Sequence, residues 1–170
     1  MAKPADDYER AKTVAFRLLG VRARSRAELQ ERLEKKGFPA PVIENVLTDL
    51  AGMGLINDEE FARAWVNYRT QVRPAGARAL TWELRRHGVD DKLAAAVVKE
   101  TVGEEDELRL ATDLARNRLR RLRSRGPAAP EARRDEMARI NRFLAGRGFS
   151  YDVIRQAINT IYGEEAELEP

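Results

Sequence analysis

The 170 residues fit one compact domain or a short array of repeats, and 43% hydrophobic with 35% charged residues favours an all-α protein. Cysteine, a long apolar span and a signal-peptide core are all absent, which excludes disulfides and thiol chemistry and leads us to expect a cytoplasmic protein without membrane contact. The net charge is +3, and 25 of the 31 basic residues are arginines, which suit a phosphate or carboxylate partner but also fit an arginine-rich codon usage.

The chain begins with a flexible tail at residues 1–7 and a predicted three-helix unit over residues 8–54. Ser25 and Glu28 have the spacing of a capping box at the start of the second helix, in which each side chain bonds the other residue's backbone amide. Gly37 is placed to end this helix in the left-handed conformation. A third helix with an apolar stripe follows the turn.

A second three-helix unit is predicted over residues 55–103. Asn57 or Asp58 is expected to cap its first helix. This helix carries a stripe at helical spacing that we expect to lie in the core, formed by Phe61, Trp65, Tyr68 and Val72. Gly76 occupies the place that Ser25 has in the first unit, and glycine is also accepted as an N-cap.

A third unit is predicted over residues 104–163. Its acidic start at residues 104–107 suits the N-terminal end of a helix dipole, and the helix continues over residues 108–123. Residues 124–130 contain glycine and two prolines and are interpreted as a linker or loop. An acidic tail is expected at residues 164–170.

One apolar frame recurs around Gly37, Gly88 and Gly148. Relative to each glycine, apolar residues stand eight and four positions before it and one, five and ten positions after it. The residues before the glycines are Leu29, Leu80 and Ile140, then Leu33, Leu84 and Leu144. Those after them are Phe38, Val89 and Phe149, then Val42, Leu93 and Val153, then Leu47, Val98 and Ile158. Because the frame spans two helices and a turn, it predicts three tandem three-helix repeats that form an elongated, curved, solenoid-like molecule.

The sequence offers no constellation for catalysis. His87 is the only histidine, and because its counterparts in the other repeats are Lys36 and Arg147, we interpret it as a surface residue at a helix end. No glycine-rich phosphate loop with its lysine and no metal-ligand spacing is present, and acidic pairs stand at helix starts, where capping explains them. We therefore predict a binding protein that is not an enzyme and needs no cofactor or metal.

The helix–turn–helix spacing around Gly37 raises the alternative of a sequence-specific DNA reader. A recognition helix should bring positive charge to the polyanion, but residues 39–51 contain no lysine or arginine and carry Glu44 and Asp49. Sequence-specific reading by this helix is therefore not expected.

Basic charge gathers instead on other helices. Trp82 stands six residues before its glycine, where the other repeats have Glu31 and Arg142, so we expect it to face solvent. A solvated face with internal ion pairs and a binding track for phosphate or carboxylate are both open interpretations of these arginines. The candidate partner-binding residues are Arg69, Arg73, Arg78, Trp82, Arg85 and Arg86 in the second unit, and Arg116, Arg118, Arg120, Arg121 and Arg123 in the third, with Arg125 beyond them.

Several segments, in this order and spacing, resemble the RecX family of recombination regulators. They are Ser25-Arg-Ala-Glu-Leu29, Lys36-Gly-Phe38, Gly54-Leu-Ile-Asn-Asp58 before Phe61-Ala62, and Glu83-Leu84 with Gly88-Val89. The resemblance covers about residues 11–102, and the third unit more loosely. It implies a protein of three helical repeats that binds the RecA recombinase filament in its helical groove. In most members such binding suppresses ATP hydrolysis, strand exchange and the co-protease activity that triggers the SOS response.

Two hypotheses of different classes follow. The first is a monomeric, non-enzymatic modulator of the RecA–DNA filament that uses the basic surface of the second and third units. The second is a stand-alone protein that binds single- or double-stranded nucleic acid without sequence preference, through phosphate contacts on basic helix faces. Affinity for single-stranded DNA with and without recombinase, across a salt series, distinguishes the two.

Overall fold

The computed structural model describes residues 4–124 and 132–168, with side chains over residues 6–124 and 133–164. Within these ranges the secondary structure is helical, without strands, and each of three successive units holds three helices. The helices are α1 (Pro4–Val21), α2 (Arg26–Glu34) and α3 (Ala40–Gly52), then α4 (Asp58–Val72), α5 (Ala77–Arg86) and α6 (Asp91–Thr101), then α7 (Glu104–Arg123), α8 (Ala132–Ala145) and α9 (Tyr151–Leu168). The all-α class and the three tandem three-helix units are confirmed, while the elongated, curved shape stays a prediction.

Helix ends differ from the expectation at both ends of the chain. α1 begins at Pro4, so the flexible tail predicted over residues 1–7 is wrong for residues 4–7. Proline suits a first helical turn, and the acidic side chains of Asp6 and Asp7 in that turn favour the helix dipole. α9 continues to Leu168, so the predicted acidic tail is helical over most of its length. The predicted linker lies outside the described residues except for Ser124, which ends α7.

The chain divides into two compact bodies, and the division passes through the middle unit. The first body contains residues 1–65 and 83–97, and the second contains residues 66–82 and 98–170. In the first body, α1, α2 and α3 enclose a core that includes Ala15. In the second, α7, α8 and α9 enclose another, which includes Ala115.

The predicted frame is fully buried at the two positions before each glycine. The residues eight and four positions before each glycine are all 0% exposed, namely Leu29, Leu80, Ile140, Leu33, Leu84 and Leu144. Five positions after the glycine the prediction is less accurate, because Leu93 and Val153 are only partly buried. The third helix of each unit also buries the sixth and ninth positions after the glycine, which are Ile43, Ala94 and Ile154, then Val46, Val97 and Ala157. The tenth position, occupied by Leu47, Val98 and Ile158, is buried as the frame predicts, so the sixth, ninth and tenth positions form the buried face of that helix.

The aromatic stripe of α4 is only half buried, which corrects the prediction of a core stripe. Phe61 is buried and Trp65 is partly buried, whereas Tyr68 and Val72 are 56% and 63% exposed. The inward face of α4 is formed by Phe61, Ala62 and Val66. The stripe lies at one edge of this face and leaves the core in the second half of the helix.

A left-handed glycine ends the second helix of each unit. Gly37, Gly88 and Gly148 have φ angles of 82°, 77° and 82°, as predicted. The amide of the next residue donates to the carbonyl five positions before it, and the N···O distances are 3.3 Å, 3.1 Å and 3.3 Å for Phe38, Val89 and Phe149. This is the Schellman arrangement, which satisfies carbonyls that the helix end would leave free.

Within the first body, the turn of the second unit caps the second helix of the first unit. Ser25 Oγ donates to the backbone carbonyl of His87, and the amide of Arg26 donates to Asp58 Oδ1 at 2.8 Å. Ser25 Oγ also accepts from the Glu28 amide at 3.1 Å, which is one half of the predicted capping box. The other half is replaced, because the Glu28 carboxylate binds other groups, described below.

The second body repeats this arrangement with different residues. The amide of Gly76 donates to the carbonyl of Arg147 at 2.9 Å, and the amide of Ala77 donates to Glu107 Oε1 at 2.8 Å. In each body, amides that a helix start leaves unpaired are therefore satisfied by the turn and the first helix of the following unit. Of the two predicted caps of α4, Asn57 is the one used, since its Oδ1 accepts from two amides at 3.0 Å and 3.2 Å.

We call these contacts between a turn and the start of the preceding unit's second helix the junctions. Close packing at the junctions requires glycine in the turn for a second reason. A Cβ on Gly88 would stand 2.2 Å from the Cβ of Ala27, and a Cβ on Gly148 would stand 2.6 Å from the amide nitrogen of Ala79. A Cβ on Gly37 would meet nothing within 4 Å. The three glycines share one backbone conformation, but only the last two are also confined by a neighbouring unit.

Replacing a frame leucine should destabilise the fold through cavity formation. We expect Leu33→Ala or Leu84→Ala to lower the free energy of unfolding by about 2–5 kcal/mol, measured by urea denaturation followed by circular dichroism. Leu55→Ala, at an exposed leucine, is the control and should cost less than about 1 kcal/mol. Equal losses for core and control leucines would contradict the repeat frame.

The turn glycines separate backbone strain from junction packing. We expect Gly37→Ala to cost about 1–2 kcal/mol, because only the left-handed conformation penalises it. Gly88→Ala and Gly148→Ala should cost about 1–3 kcal/mol more, because their Cβ atoms also overlap a neighbouring unit. Thermal unfolding of the three variants provides the comparison, and similar losses at all three positions would refute the steric role of the junctions.

Candidate partner-binding arginines

Four of the candidate residues lie on α4, α5 and the loop between them, in the second body. Arg69 donates from Nη1 to the carbonyl of Arg73 and so closes the end of α4. Arg73 and Arg78 are exposed, and neither has a carboxylate oxygen within 4.0 Å among the described residues. Trp82 is 56% exposed, which confirms that it faces solvent, as Glu31 and Arg142 do at the matching positions.

Arg85 and Arg86 belong to the first body. Arg85 forms a two-pronged ion pair with Asp91 across the turn between α5 and α6. This hydrogen bonding raises the pKa of the Arg85 guanidinium and lowers the pKa of the Asp91 carboxyl. Arg86 is exposed. Because this local ion pair already occupies the Arg85 guanidinium, Arg85 is a weaker candidate for binding a partner.

Two arginines of α7 are held by carboxylates of the third unit. Arg116 contacts Asp113 at 3.0 Å and Glu164 at 2.9 Å, and the bonds to Glu164 are the main reason that its pKa is raised. Arg123 lies 3.2 Å from Glu136, a buried carboxylate that also accepts from the Tyr162 hydroxyl at 3.1 Å. These two arginines contribute to the fold as internal ion pairs.

The other α7 arginines have different surroundings. The guanidinium of Arg118 lies over the ring of Phe143, 5.4 Å from its centre, and its Nε is buried without a hydrogen-bond partner among the described residues. Arg120 donates to Asn117. Arg121 is exposed and has no carboxylate within 4.0 Å in the described part of the chain. Arg125 lies outside the described residues.

Arg147 belongs with the candidate residues, although the repeat pattern identified it only as the counterpart of His87. Its Nη1 donates to the carbonyl of Pro74 at 2.9 Å, and its guanidinium stacks over Phe143, 4.7 Å from the ring centre. Burial and then the nearby charges of Arg73 and Arg69 lower its pKa. The available signal was its place directly before a turn glycine, in the turn through which the third unit contacts the second.

His87 is more engaged than a surface residue, which corrects that interpretation. Its ring is partly buried, and its Nδ1 lies 2.8 Å from Glu28 Oε1. The ring also packs edge-on against Trp65, with ring centres 4.3 Å apart. Arg22 binds the same carboxylate through two bonds of 2.8 Å and 3.0 Å. His87 therefore supports the junction in the first body.

Comparison with known families matches all three units. The family models described as the first, second and third three-helix domains of RecX match residues 11–50, 57–98 and 104–158. The chain belongs to the RecX family. The resemblance noted in the sequence is thereby confirmed, and it extends fully to the third unit.

Relatives named regulatory protein RecX align over nearly the whole chain. The protein from Amycolatopsis mediterranei is 38% identical over 97% of this chain and 92% of its own length. The one from Mycolicibacterium smegmatis is 38% identical over 96% and 86%, and the one from Corynebacterium efficiens is 42% identical over 85% and 70%. The crystal structure of RecX from Lactobacillus salivarius shares the fold, with a TM-score of 0.81 at 24% identity, over 97% of this chain and 99% of that one. None of the described helices is both long and apolar enough to span a membrane.

The Glu28 site of this RecX-family protein predicts a pH dependence of stability. Burial raises the pKa of Glu28, but hydrogen bonds from Arg22 and His87 outweigh it, so the pKa lies below its ordinary value of 4.5. A carboxyl with a depressed pKa stabilises the fold above the unfolded pKa and loses this contribution as the pH falls through the folded one. We therefore expect Glu28→Gln to destabilise the protein most at neutral pH and progressively less below pH 4.5.

Urea denaturation of wild type and variant between neutral pH and about pH 3 measures this difference. Glu9→Gln removes an exposed carboxyl and is the matched control. A destabilisation by Glu28→Gln that stays constant across the range would rule out the charge as its cause.

Proposed function

We propose that this protein is a non-enzymatic regulator that binds the RecA–DNA filament in its helical groove and inhibits recombinase ATP hydrolysis, strand exchange and co-protease activity. The observation that carries the proposal is the match of all three units, in order, to the three RecX domains. Relatives of similar length named regulatory protein RecX support it. A monomeric state and a cytoplasmic location remain part of the prediction.

The surroundings of the arginines narrow the candidate binding surface. Arg116 and Arg123 are neutralised by carboxylates of their own unit, so moving them to a partner would break existing contacts. Arg73, Arg78 and Arg121 have no such carboxylate among the described residues. These three can pair with phosphate or carboxylate groups without giving up an ion pair, and they are the exposed cations that we assign to the filament.

Binding alone is sufficient for this kind of regulation. A ligand shifts an equilibrium by its differential affinity for two states, so a protein that prefers one state of a filament changes the filament's activity without catalysis. Several modest charge contacts spread along a surface suit an extended polyanionic partner, because each contributes a little and all weaken together with salt.

A stand-alone nucleic-acid-binding protein is the second candidate. The half-exposed indole of Trp82, on the same helix as Arg78, favours it, because an exposed aromatic ring next to cations suits stacking on bases. Single-stranded DNA affinity, measured with and without recombinase over a salt series, separates the two candidates. Tight, salt-dependent binding that recombinase does not improve would support this second function.

The proposed function predicts inhibition in a recombinase ATPase assay. Titrating the protein into recombinase filaments on single-stranded DNA should lower the rate of ATP hydrolysis. Arg78→Glu with Arg121→Glu should raise the concentration needed for half-inhibition by about three- to tenfold, because two exposed contacts become repulsive. Circular dichroism should show unchanged helicity, since both side chains are exposed.

The control must carry the same change in net charge. Arg109→Glu with Arg155→Glu alters two exposed arginines that contact the acidic residues Asp106 and Asp152 within one helical turn. This pair should inhibit nearly as wild type does. Equal weakening by both double variants would indicate net charge rather than a surface, and no inhibition by the wild-type protein would overturn the proposed function.

A further inference from the structure

Four arginines of the second body form a group that we call the arginine cluster, made of Arg69, Arg73, Arg118 and Arg147. Two of them are anchored on consecutive carbonyls of the loop that follows α4. Arg69 donates to the carbonyl of Arg73, and Arg147 donates to the carbonyl of Pro74 at 2.9 Å. Because adjacent carbonyls hold both groups, two guanidinium groups from α4 and from the α8–α9 turn are fixed close together.

An aromatic ring joins the other half of the cluster. The ring of Phe143 has the guanidinium of Arg147 4.7 Å from its centre and that of Arg118 5.4 Å from it. Attraction between the cations and the ring electrons holds both groups without neutralising them. Protein contacts therefore set the positions of the Arg69, Arg118 and Arg147 guanidinium groups before any partner arrives.

Three of the four charges of the cluster have no carboxylate close by in the described part of the chain. Arg73, Arg118 and Arg147 have no carboxylate oxygen within 4.0 Å among the described residues. Guanidinium groups stay protonated under ordinary conditions, so they cannot relieve mutual repulsion by losing a proton. Nearby, Arg116 and Arg123 each have a carboxylate, which shows that the same unit neutralises arginines elsewhere.

The surroundings of Arg147 favour an anion as the ligand. Burial and the charges of Arg73 and Arg69 lower the pKa of Arg147, which is the expected effect when cations lie close together at a partly desolvated site. A bound anion would offset this repulsion between like charges.

We infer that the arginine cluster is a binding site for a phosphate group of a DNA strand, and this choice of ligand rests on the proposed function, since the filament contains DNA. A nucleic-acid strand presents phosphates to guanidinium groups and flat bases to aromatic side chains. The half-exposed Trp82 and the cation Arg78 on α5 of the same body suit such a strand. An acidic peptide would pair with the arginines but offers no base on which the indole could stack.

The test is a salt series of DNA binding by the full chain. Binding of a fluorescently labelled oligo(dT) is measured by anisotropy for wild type, Arg73→Gln and the double variant Arg73→Gln/Arg147→Gln. We expect the double variant to flatten the slope of log affinity against log salt by about 0.7, the change for one lost phosphate contact on a single strand. Arg73→Gln should change the slope in the same direction. Because the Arg73 side chain is exposed, this variant should fold like the wild type.

Arg155→Gln with Arg109→Gln removes the same charge away from the cluster and should leave the slope unchanged. Equal slopes for the wild type and both cluster variants, or no salt-dependent binding by the wild type, would overturn the inference. Displacement of the oligonucleotide by polyglutamate as effectively as by unlabelled oligo(dT) would also overturn it, in favour of an acidic protein surface.

The same proteins are then compared in the recombinase ATPase assay. Wild-type inhibition together with equal DNA slopes would leave the proposed function standing while removing the phosphate site. Absence of inhibition by the wild type, whatever the slopes, would remove the proposed function itself. The two failures are therefore distinguishable.

Discussion

The helical units depend on one recurring contact, in which amides at the start of a second helix are capped by the unit that follows. Ser25 and Arg26 bond to His87 and Asp58 in the first body, and Gly76 and Ala77 bond to Arg147 and Glu107 in the second. A helix of nine or ten residues, as α2 and α5 are, is marginal on its own, so these bonds tie the stability of one unit to the presence of the next. They also explain why small residues gather at the junctions, because the turn must approach the helix start closely.

The second helix of the third unit differs at the matching position. The position matching Ser25 and Gly76 is Glu136, which is the fifth residue of α8 because that helix begins at Ala132. From the fifth residue onward an amide finds its partner inside the helix, so the requirement for an external cap is removed at this position. The buried carboxylate of Glu136 forms an ion pair with Arg123 and accepts a hydrogen bond from Tyr162, both in the same unit. At this position of the third unit, helix length and internal side-chain bonds therefore replace the contact that the first two units receive from a neighbour.

The apolar frame could be predicted from the sequence because helical spacing alone places its members on the buried face. Leu33, Leu84 and Leu144 needed only their distance from a glycine to be recognised as core. The arginines could not be sorted in this way, since Arg116 meets Glu164 and Arg147 meets Pro74 across long stretches of chain. The prediction that the whole α4 stripe lies in the core was wrong for the same reason, because only packing decides how far along a helix its apolar face is covered.

Arg147 connects the junction to the candidate binding surface, and its two roles use different atoms. Its backbone carbonyl accepts from Gly76 and so belongs to the junction, whereas its side chain reaches Pro74 and Phe143. A side-chain substitution keeps the carbonyl in place, so binding can change while the junction persists. Conversely, substitution of Gly148 would disturb the turn that positions Arg147 and should affect both. Placing a cluster of cations on a junction gives it rigid support, because the contact that holds two units together also fixes where the guanidinium groups stand.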